Sequence, residues 1–432
     1  MSQPAPPTVR RTSSNRHELA YRGLLVFTVL LYLRPNELLP IGTFPIVKIL
    51  TIGTLLAFFM DRLGQGGPLS VMPRPFRYLL TVAGLAILSI PIGINPAASF
   101  DSFTDLFLKI LLIFLLIINV VTSFRRLRLM MEVIVLSGAG VALLTLIDFV
   151  QGKNLVEGIR AAGATGGIFA NPNDLALAMN VLLPLSGGLM LSRPNPASKL
   201  VYLACTALMA VTTVVTYSRA GLLTIILAGG FMVAKLGRRY PALWVVGAVA
   251  LIGVIATSPG RVVTIFEGAG DESSAAGSAT MRWELVKRSI EVAGANPIRW
   301  LFGVGLNNFH VVSYKELVSH NAYLEVFNEL GLPALCFYVL FLVSAFRMAG
   351  HVVKTYRKAR GARQVWLGGV AIQTAVFAYM VGGFFASVAF QWYVYYPAAF
   401  AVCLHQLVAR AELQPRPREV TSRVWYLRRA QP

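Results

Sequence analysis

The chain has 432 residues, of which 56% are hydrophobic and 13% charged. Apolar runs near the length of a membrane span recur from end to end, which excludes a single soluble core. The formal charge of +20 does not indicate a nucleic-acid binder, because the basic residues lie in short clusters between apolar runs and not on one surface. The sequence therefore predicts an all-α polytopic membrane protein.

The apolar segments predict about 12 transmembrane helices, each near the length that crosses a bilayer. Short separations around residues 218 and 387 leave one span fewer or one span more as alternatives. In chain order the segments cover residues 20–34, 44–60, 76–94, 104–121, 127–149, 174–192, 199–217, 219–236, 241–257, 321–346, 365–386 and 389–409.

Lysine and arginine residues predict the orientation of these spans. They concentrate in both termini and in alternate loops, such as "FRRLR" and "KLGRRY", while the short loops opposite hold few. Because cytoplasmic loops carry this excess, both termini are expected to face the cytoplasm. The predicted parts are a basic arm over 1–19, nine spans over 20–257, a long external loop over 258–320, three spans over 321–409 and a basic tail over 410–432.

The long external loop contains two kinds of sequence. Residues 267–280, "EGAGDESSAAGSAT", have the Gly, Ser and Ala content typical of a flexible segment. The next stretch places apolar residues at Trp283, Val286 and Ile290, a spacing that predicts an amphipathic helix at the membrane interface.

Polar residues at the start of the tenth span, in "SHNAYLEVFNELG", are unusual for a membrane segment. Asn321, Glu325 and Asn328 recur on one helix face, with Glu329 adjacent. Ionisable groups in a span usually face a cavity, a partner or a substrate path, so this face is expected to point into the helix bundle. The positive end of the helix dipole would keep His320 neutral, which suits a general base. A solvated interfacial histidine is the simpler alternative.

Two arginines on the external side are candidates for binding an anion. Arg219 in "TYSRAGLL" lies between two spans, at a predicted helix N-terminus, where its planar guanidinium and free N–H groups would suit phosphate oxygens. Arg282 begins the predicted interfacial helix. An interfacial anchor is the alternative role for Arg219.

Two further stretches add candidates for substrate binding. In "GVGLNN", Gly303 and Gly305 permit positive φ, so that the turn with Asn307 could form an anion-binding nest or an ordinary turn. In "NPND", Asn171 is predicted to be a helix N-cap, followed by proline at the first helical position. Asp174 is expected in the first turn of that helix, where it could line a cavity.

Motifs for metal or nucleotide chemistry are absent from the sequence. There is no Walker A sequence, no HExxH and no His/Cys set with metal-ligand spacing, so no metal and no cofactor are expected. The three cysteines, Cys205, Cys336 and Cys403, fall in apolar segments and are expected to be free buried thiols. Lys109, inside a predicted span, is expected to pair with Asp105 one turn earlier.

The order of these motifs resembles the O-antigen ligase and polymerase superfamily of the bacterial envelope. The resemblance rests on "NPND" before a span, "SRAG" at a tight external turn, "MRW…NPIRWLFGVGLNNF" in a long external loop and "SHNAYLEVFNELGL" opening the next span. It covers residues from about 165 to 345, and the many-span layout extends it over most of the chain. The "GVG" turn follows "IRW" here instead of the family's more usual proline-led approach.

The resemblance implies a metal-independent glycosyltransferase of GT-C type in the bacterial inner membrane, with its active site facing the periplasm. The donor would be a glycan on undecaprenyl pyrophosphate, and the acceptor of a ligase would be a sugar hydroxyl of lipid A core. By the same resemblance, Arg219 and Arg282 would hold the pyrophosphate leaving group and His320 would accept the proton of the attacking hydroxyl. Attack opposite the leaving group would invert the anomeric centre.

Other functions remain open at this level. A polymerase of the same superfamily would join lipid-linked repeat units, and a protein-directed ligase would use another acceptor. A transporter of lipid-linked sugars would also place polar groups in spans, although a midplane site would then be expected. A membrane scaffold would not account for the polar face between Asn321 and Glu329.

Overall fold

The computed structural model describes residues 17–34, 46–65, 68–237, 239–241, 275–313, 317–359 and 361–413. The ninth predicted span lies outside this part of the chain except for its first residue, as do nearly all of the two basic terminal segments. Within the described residues almost all regular structure is helical, so the all-α prediction is confirmed.

The helices are numbered here in chain order. They are α1 (Glu18–Leu33), α2 (Ile46–Gln65), α3 (Arg74–Ser89), α4 (Pro96–Val120, with a π-helical turn at Phe103–Phe107), α5 (Phe124–Val150), α6 (Pro172–Ser192), α7 (Pro196–Val215), α8 (Arg219–Leu236), α9 (Ala275–Gly294), α10 (Pro297–Phe302), α11 (Phe309–Val312), α12 (Ala322–Tyr356), α13 (Arg363–Gly382) and α14 (Tyr395–Leu413).

Seven of the described helices are long and apolar enough to cross a membrane: α4, α5, α6, α7, α8, α12 and α13. Helices α1, α2, α3 and α14 coincide with predicted spans but fall short of that criterion of length and hydropathy. The chain is thus a multi-pass membrane protein by its helices, while twelve spans and a GT-C fold stay predictions. Lys109 Nζ lies 3.0 Å from Asp105 Oδ1, as predicted, and all three cysteines are free thiols, although Cys336 is exposed.

Helices α6 and α13 form the centre of the bundle, since they are the most buried of the candidate spans and pack against each other. Small residues permit this close packing: a Cβ on Gly188 of α6 would lie 2.4 Å from the Ala371 Cβ of α13. Helix α12 packs against α3, α13 and α14. A hydrogen bond between the hydroxyls of Tyr338 and Tyr379 joins α12 to α13 inside the core.

Two predicted spans contain irregular backbone. The prediction of a helix from residue 389 is wrong over its first residues, because the chain forms a 3-10 turn at Trp392–Val394 before α14 begins. Val388 and Ala389 are fully buried in this connection. Helix α12 is kinked at Gly331, which has φ 83° and ψ 175°, two residues before Pro333. Non-helical backbone at membrane depth occurs where it is covered by protein or lines a cavity.

The long external loop is more helical than its composition indicates. Helix α9 begins at Ala275, so the prediction of a flexible segment is wrong over 275–280. The buried face of α9 is not the predicted apolar one: Leu285 and Val292 are buried, whereas Trp283 and Ile290 are each 59% exposed. One short antiparallel hairpin was not predicted, and it pairs Leu155–Val156 with Arg160–Ala161.

Candidate active site

Several helix ends meet around one cavity of about 290 Å³. They are the N-terminal parts of α4, α6 and α12, the turn between α10 and α11, and the irregular segment after α13. The wall is rich in polar side chains, contributed by Ser102, Asn171, Asp174, Asn307, His320, Glu325, Glu329, Ser387 and Gln391. A cavity with several convergent polar groups is typical of a binding or catalytic site.

The cavity brings together half of the candidate residues that the sequence indicated. Asn171, Asp174, Asn307, His320 and Glu325 line it. The other five candidates, Arg219, Arg282, Gly303, Gly305 and Asn321, are not part of its wall.

His320 lies immediately before the N-cap of α12 and has a left-handed backbone, with φ 48°. A positive φ is uncommon for a residue with a side chain, although histidine adopts it more readily than most. Burial, and to a smaller extent the positive charge of Arg282, lowers the pKa of His320 below its usual value. The imidazole is therefore neutral near pH 7 and able to accept a proton. The sequence analysis also expected a neutral imidazole, but attributed it to the helix dipole and not to burial and Arg282.

Arg160, Arg219 and Arg282 lie close enough together for their charges to interact. Burial lowers the pKa of Arg282, and the charges of Arg219 and Arg160 lower it further. Arginine still stays charged at neutral pH. The Arg282 guanidinium also lies 5.8 Å from the centre of the Phe385 ring, within the range of a cation–π contact. A concentration of positive charge next to His320 suits a ligand that carries several negative charges.

Arg160, in the short hairpin, was missed by the sequence analysis. Its guanidinium donates to Asn173 Oδ1 at 2.9 Å and to the carbonyl oxygen of Thr216 at 3.2 Å. Asn173 Oδ1 also accepts a hydrogen bond from the Ser218 hydroxyl at 2.8 Å. Asn173 of "NPND", at the start of α6, is thus bonded both to Arg160 and to Ser218 of "SRAG". Ser218 directly precedes Arg219, which is the first residue of α8. The available signal was an arginine in an external loop, where basic residues are few.

The polar residues at the start of α12 have two roles: some line the cavity, and others make hydrogen bonds that hold the helix in place. Glu325 lines the cavity and accepts a hydrogen bond from the backbone N–H of Ala389 at 2.9 Å. Asn328 is buried and donates to the Ser289 hydroxyl of α9 at 2.9 Å. Asn321, a predicted substrate-binding residue, instead caps α12, because its Oδ1 accepts from Tyr323 N and Leu324 N.

The "GVGLNN" turn lies against the kink of α12 through direct backbone contact. Gly305 N donates to the Glu329 carbonyl oxygen at 3.0 Å, and Asn307 N donates to the Glu329 carboxylate at 2.8 Å. Gly303 N donates to the carbonyl oxygen of Arg299. These N–H groups already have acceptors within the protein, so the open anion nest considered from the sequence is not formed in this arrangement.

Asn171 and Asp174 reach the cavity from the start of α6. The Asn171 side chain caps the helix by accepting from Asn173 N at 2.8 Å, and Pro172 occupies the first helical position, as predicted. Asp174 and Glu325 thus present carboxyl groups to the same cavity as the neutral imidazole of His320. Carboxyl, amide and hydroxyl groups around one space are suited to hydrogen-bonding the hydroxyls of a sugar.

The described residues contain no group of three or more His, Cys, Asp or Glu side chains arranged to hold a metal ion. Among the described residues, Arg160, Arg219 and Arg282 supply positive charge near His320. The fold and this site define the class of the protein as a multi-pass helical membrane protein with a polar chamber near one end of its helices.

Residues 204–339 match the protein family described as O-antigen ligase. The matched segment includes α8, α9, the "GVGLNN" turn and the first half of α12, so it contains Arg219, Arg282 and His320. The match confirms the resemblance to the O-antigen ligase and polymerase superfamily, whose members are glycosyltransferase-type enzymes. None of the curated proteins matches the chain.

Proposed function

We propose that this protein is an O-antigen ligase-like glycosyltransferase. It moves a glycan from undecaprenyl pyrophosphate to a sugar hydroxyl of lipid A core on the periplasmic side of the bacterial inner membrane. The observation that carries the proposal is the neutral, cavity-facing His320 beside the positive field of Arg282, Arg219 and Arg160. The family match supports a glycosyltransferase of the O-antigen ligase and polymerase type.

In the proposed reaction the acceptor hydroxyl donates its proton to His320 as its oxygen attacks the anomeric carbon. The new glycosidic bond forms while the bond between that carbon and the pyrophosphate oxygen breaks. Both electrons of the broken bond stay with undecaprenyl pyrophosphate. Arg282, Arg219 and Arg160 offset the charge that develops on this leaving group, and attack from the opposite side inverts the anomeric centre.

The sugar-binding part of the site is proposed to be the polar wall formed by Asn171, Asp174, Asn307 and Glu325. Each has an oxygen or nitrogen that can bond to hydroxyls. Gly303 acts by allowing the turn to approach α12, and Gly305 by allowing it to approach Gly93 and Ser99. Asn321 acts by capping α12 next to His320.

A transfer assay with the full-length protein in nanodiscs tests the reaction. The donor is an undecaprenyl-pyrophosphate glycan, and two acceptors are offered separately: lipid A core and a second lipid-linked repeat unit. We expect product with lipid A core, and a loss of about 10²–10⁴-fold in His320→Gln, the range for removal of a general base. His310→Gln is the matched control, because His310 lies in the same external region but outside the cavity wall.

Each outcome has a distinct meaning. If product forms only with the second repeat unit, the protein is a polymerase and not a ligase. In proteoliposomes, movement of labelled donor across the bilayer without any glycosidic bond would show a transporter and not an enzyme. A wild-type rate in His320→Gln would remove His320 from the mechanism.

A further inference from the structure

A second cavity, distinct from the candidate active site, lies at the opposite end of α6. It has a volume of about 530 Å³ and is formed by the end of α6, the start of α7, Tyr240 and the first residue of α13. Asp174, in the active-site cavity, and Met190, in this one, are sixteen positions apart along the helix. At 1.5 Å per residue they are about 24 Å apart, close to the thickness of the bilayer's hydrocarbon core. We call this space the α6–α7 groove.

The predicted orientation places the α6–α7 groove at the cytoplasmic surface. The loop between α6 and α7 contains Arg193 and Lys199, and the segment before α13 contains the basic run "KTYRKARGAR". Both are loops that carry the lysine and arginine excess expected on the cytoplasmic side.

One side of the groove is apolar and open. Its wall includes Met190 and Leu191 from α6 together with Leu200 and Leu203 from the first two turns of α7. Leu200 is 67% exposed and Leu203 is 50% exposed. On a helix that faces lipid, such side chains are solvated by acyl chains.

The other side of the groove carries positive charge. Arg363 is held in place by hydrogen bonds from Nε to the Tyr240 hydroxyl at 2.8 Å and from Nη2 to the Leu191 carbonyl oxygen at 3.3 Å. Two of its five N–H donors are used in these bonds. The Tyr240 hydroxyl, which accepts from Arg363, still has its own proton to donate. Lys199 is exposed on the same wall, and none of the described lining residues is acidic.

We propose that the α6–α7 groove binds an anionic phospholipid of the cytoplasmic leaflet. The phosphate of the headgroup lies between Lys199 and Arg363 and accepts a hydrogen bond from Tyr240. An acyl chain lies along Leu200 and Leu203. The combination of an apolar wall with a basic rim at the membrane surface is the arrangement that recognises acidic lipid headgroups, and a zwitterionic lipid would gain less from the two cations.

The test is a lipid titration of the full-length detergent-solubilised protein, with bound lipid counted by native mass spectrometry. The probes are dioleoyl phosphatidylglycerol, dioleoyl phosphatidylcholine and inorganic phosphate. We expect phosphatidylglycerol to bind more tightly than phosphatidylcholine, and Lys199→Gln to weaken its binding about fivefold, the contribution of one cation at a membrane surface. Lys153→Gln, an exposed lysine on the other side of the predicted membrane, is the matched control.

Arg363→Lys is a second variant, because it keeps the charge but loses the fixed fork that contacts Tyr240 and Leu191. Its binding is expected to lie between those of wild type and Lys199→Gln. Equal affinity for the two lipids, unchanged binding in Lys199→Gln, or displacement of phosphatidylglycerol by an equal concentration of inorganic phosphate would each overturn the proposal. Thermal unfolding of every variant shows that the comparison is made on folded protein.

Discussion

His320 combines an unusual backbone with an unusual environment. Its φ of 48° aims the residue into the cavity just before α12 begins, and Asn321 stabilises that start by capping. Ser319 adds two contacts, because its hydroxyl hydrogen-bonds the Asn321 carbonyl oxygen and lies 3.1 Å from the Ser387 hydroxyl on the segment after α13. The histidine is thus held by residues on both sides of it.

The direction of the His320 pKa predicts how transfer depends on pH. Burial and Arg282 lower that pKa below 6.5, so the imidazole is neutral throughout the range above 6.5 and becomes protonated only as the pH falls below it. We expect the contribution of His320 to kcat/KM to decline in acid with a midpoint below 6.5. An acid midpoint above 6.5 would contradict the proposed role. His310→Gln should keep the wild-type profile.

Arg160 allows a test of the arginine cluster at the position that the sequence did not indicate. Arg160→Gln removes a positive charge and the donors to Asn173 and Thr216. We expect transfer to fall about tenfold to a hundredfold, with partial recovery in Arg160→Lys. The control is Lys287→Gln, since Lys287 is exposed on α9 and pairs only with Glu284 among described residues. Full activity in Arg160→Gln would show that Arg160 does not bind the pyrophosphate and would leave that role to Arg219 and Arg282.

At the scale of elements, the contact between the "GVGLNN" turn and α12 determines the shape of the cavity. The two backbones approach so closely that a Cβ on Gly303 would lie 2.2 Å from the Glu329 carbonyl carbon, and one on Gly331 would lie 2.4 Å from that of Leu301. Two glycines that face each other across the contact therefore make it feasible, and the Glu329 carboxylate holds the turn through Asn307 N.

Replacing Gly303 by alanine tests this contact. Gly303 has φ 70° and ψ −156°, a region that is accessible essentially only to glycine. Backbone strain alone should lower the free energy of unfolding by about 1–3 kcal/mol, and the clash with Glu329 should displace the turn and reduce transfer. Gly84→Ala is the control, because a Cβ there meets nothing within 4 Å. Equal stability of the two variants, measured by denaturant titration, would show that the turn is not held by this packing.

Helix starts were predicted better than helix ends and irregular segments. The capping of α6 by Asn171 and the start of α8 at Arg219 follow from local hydrogen-bonding chemistry that a short sequence contains. The segment between α13 and α14 supplies Ser387 and Gln391 to the cavity. Most of it was assigned to spans because its composition is apolar, although Ser387 fell in the short gap between two of them. Tertiary packing keeps them non-helical, and no local pattern encodes that.

At the scale of the whole molecule, the two cavities with polar or charged lining lie at opposite ends of the helices. The cavity lined by His320 lies at one end of α6, and the α6–α7 groove lies at the other. A transporter with alternating access would be expected to place its site near the midplane, so this arrangement supports an enzyme that acts at one membrane surface.

Thiol labelling checks the orientation of that arrangement. Lys153→Cys and Lys199→Cys place a thiol at exposed positions at opposite ends of the bundle. With a membrane-impermeant maleimide, we expect the first to react in spheroplasts and the second to react only after the inner membrane is permeabilised. The unsubstituted protein gives the background of its three natural cysteines. The reverse labelling pattern would invert the proposed topology.

The sequence by itself determined the helical membrane class, the positions of most helices and the family resemblance. These depend on apolar run length, on capping residues and on motifs of a few residues, all of which are local. Only the tertiary structure decided which polar residues share a cavity, that Arg160 joins Arg219 and Arg282, and that the N–H groups of the "GVGLNN" turn bond within the protein. Those relations connect residues far apart in the chain, and burial and packing in three dimensions determine them.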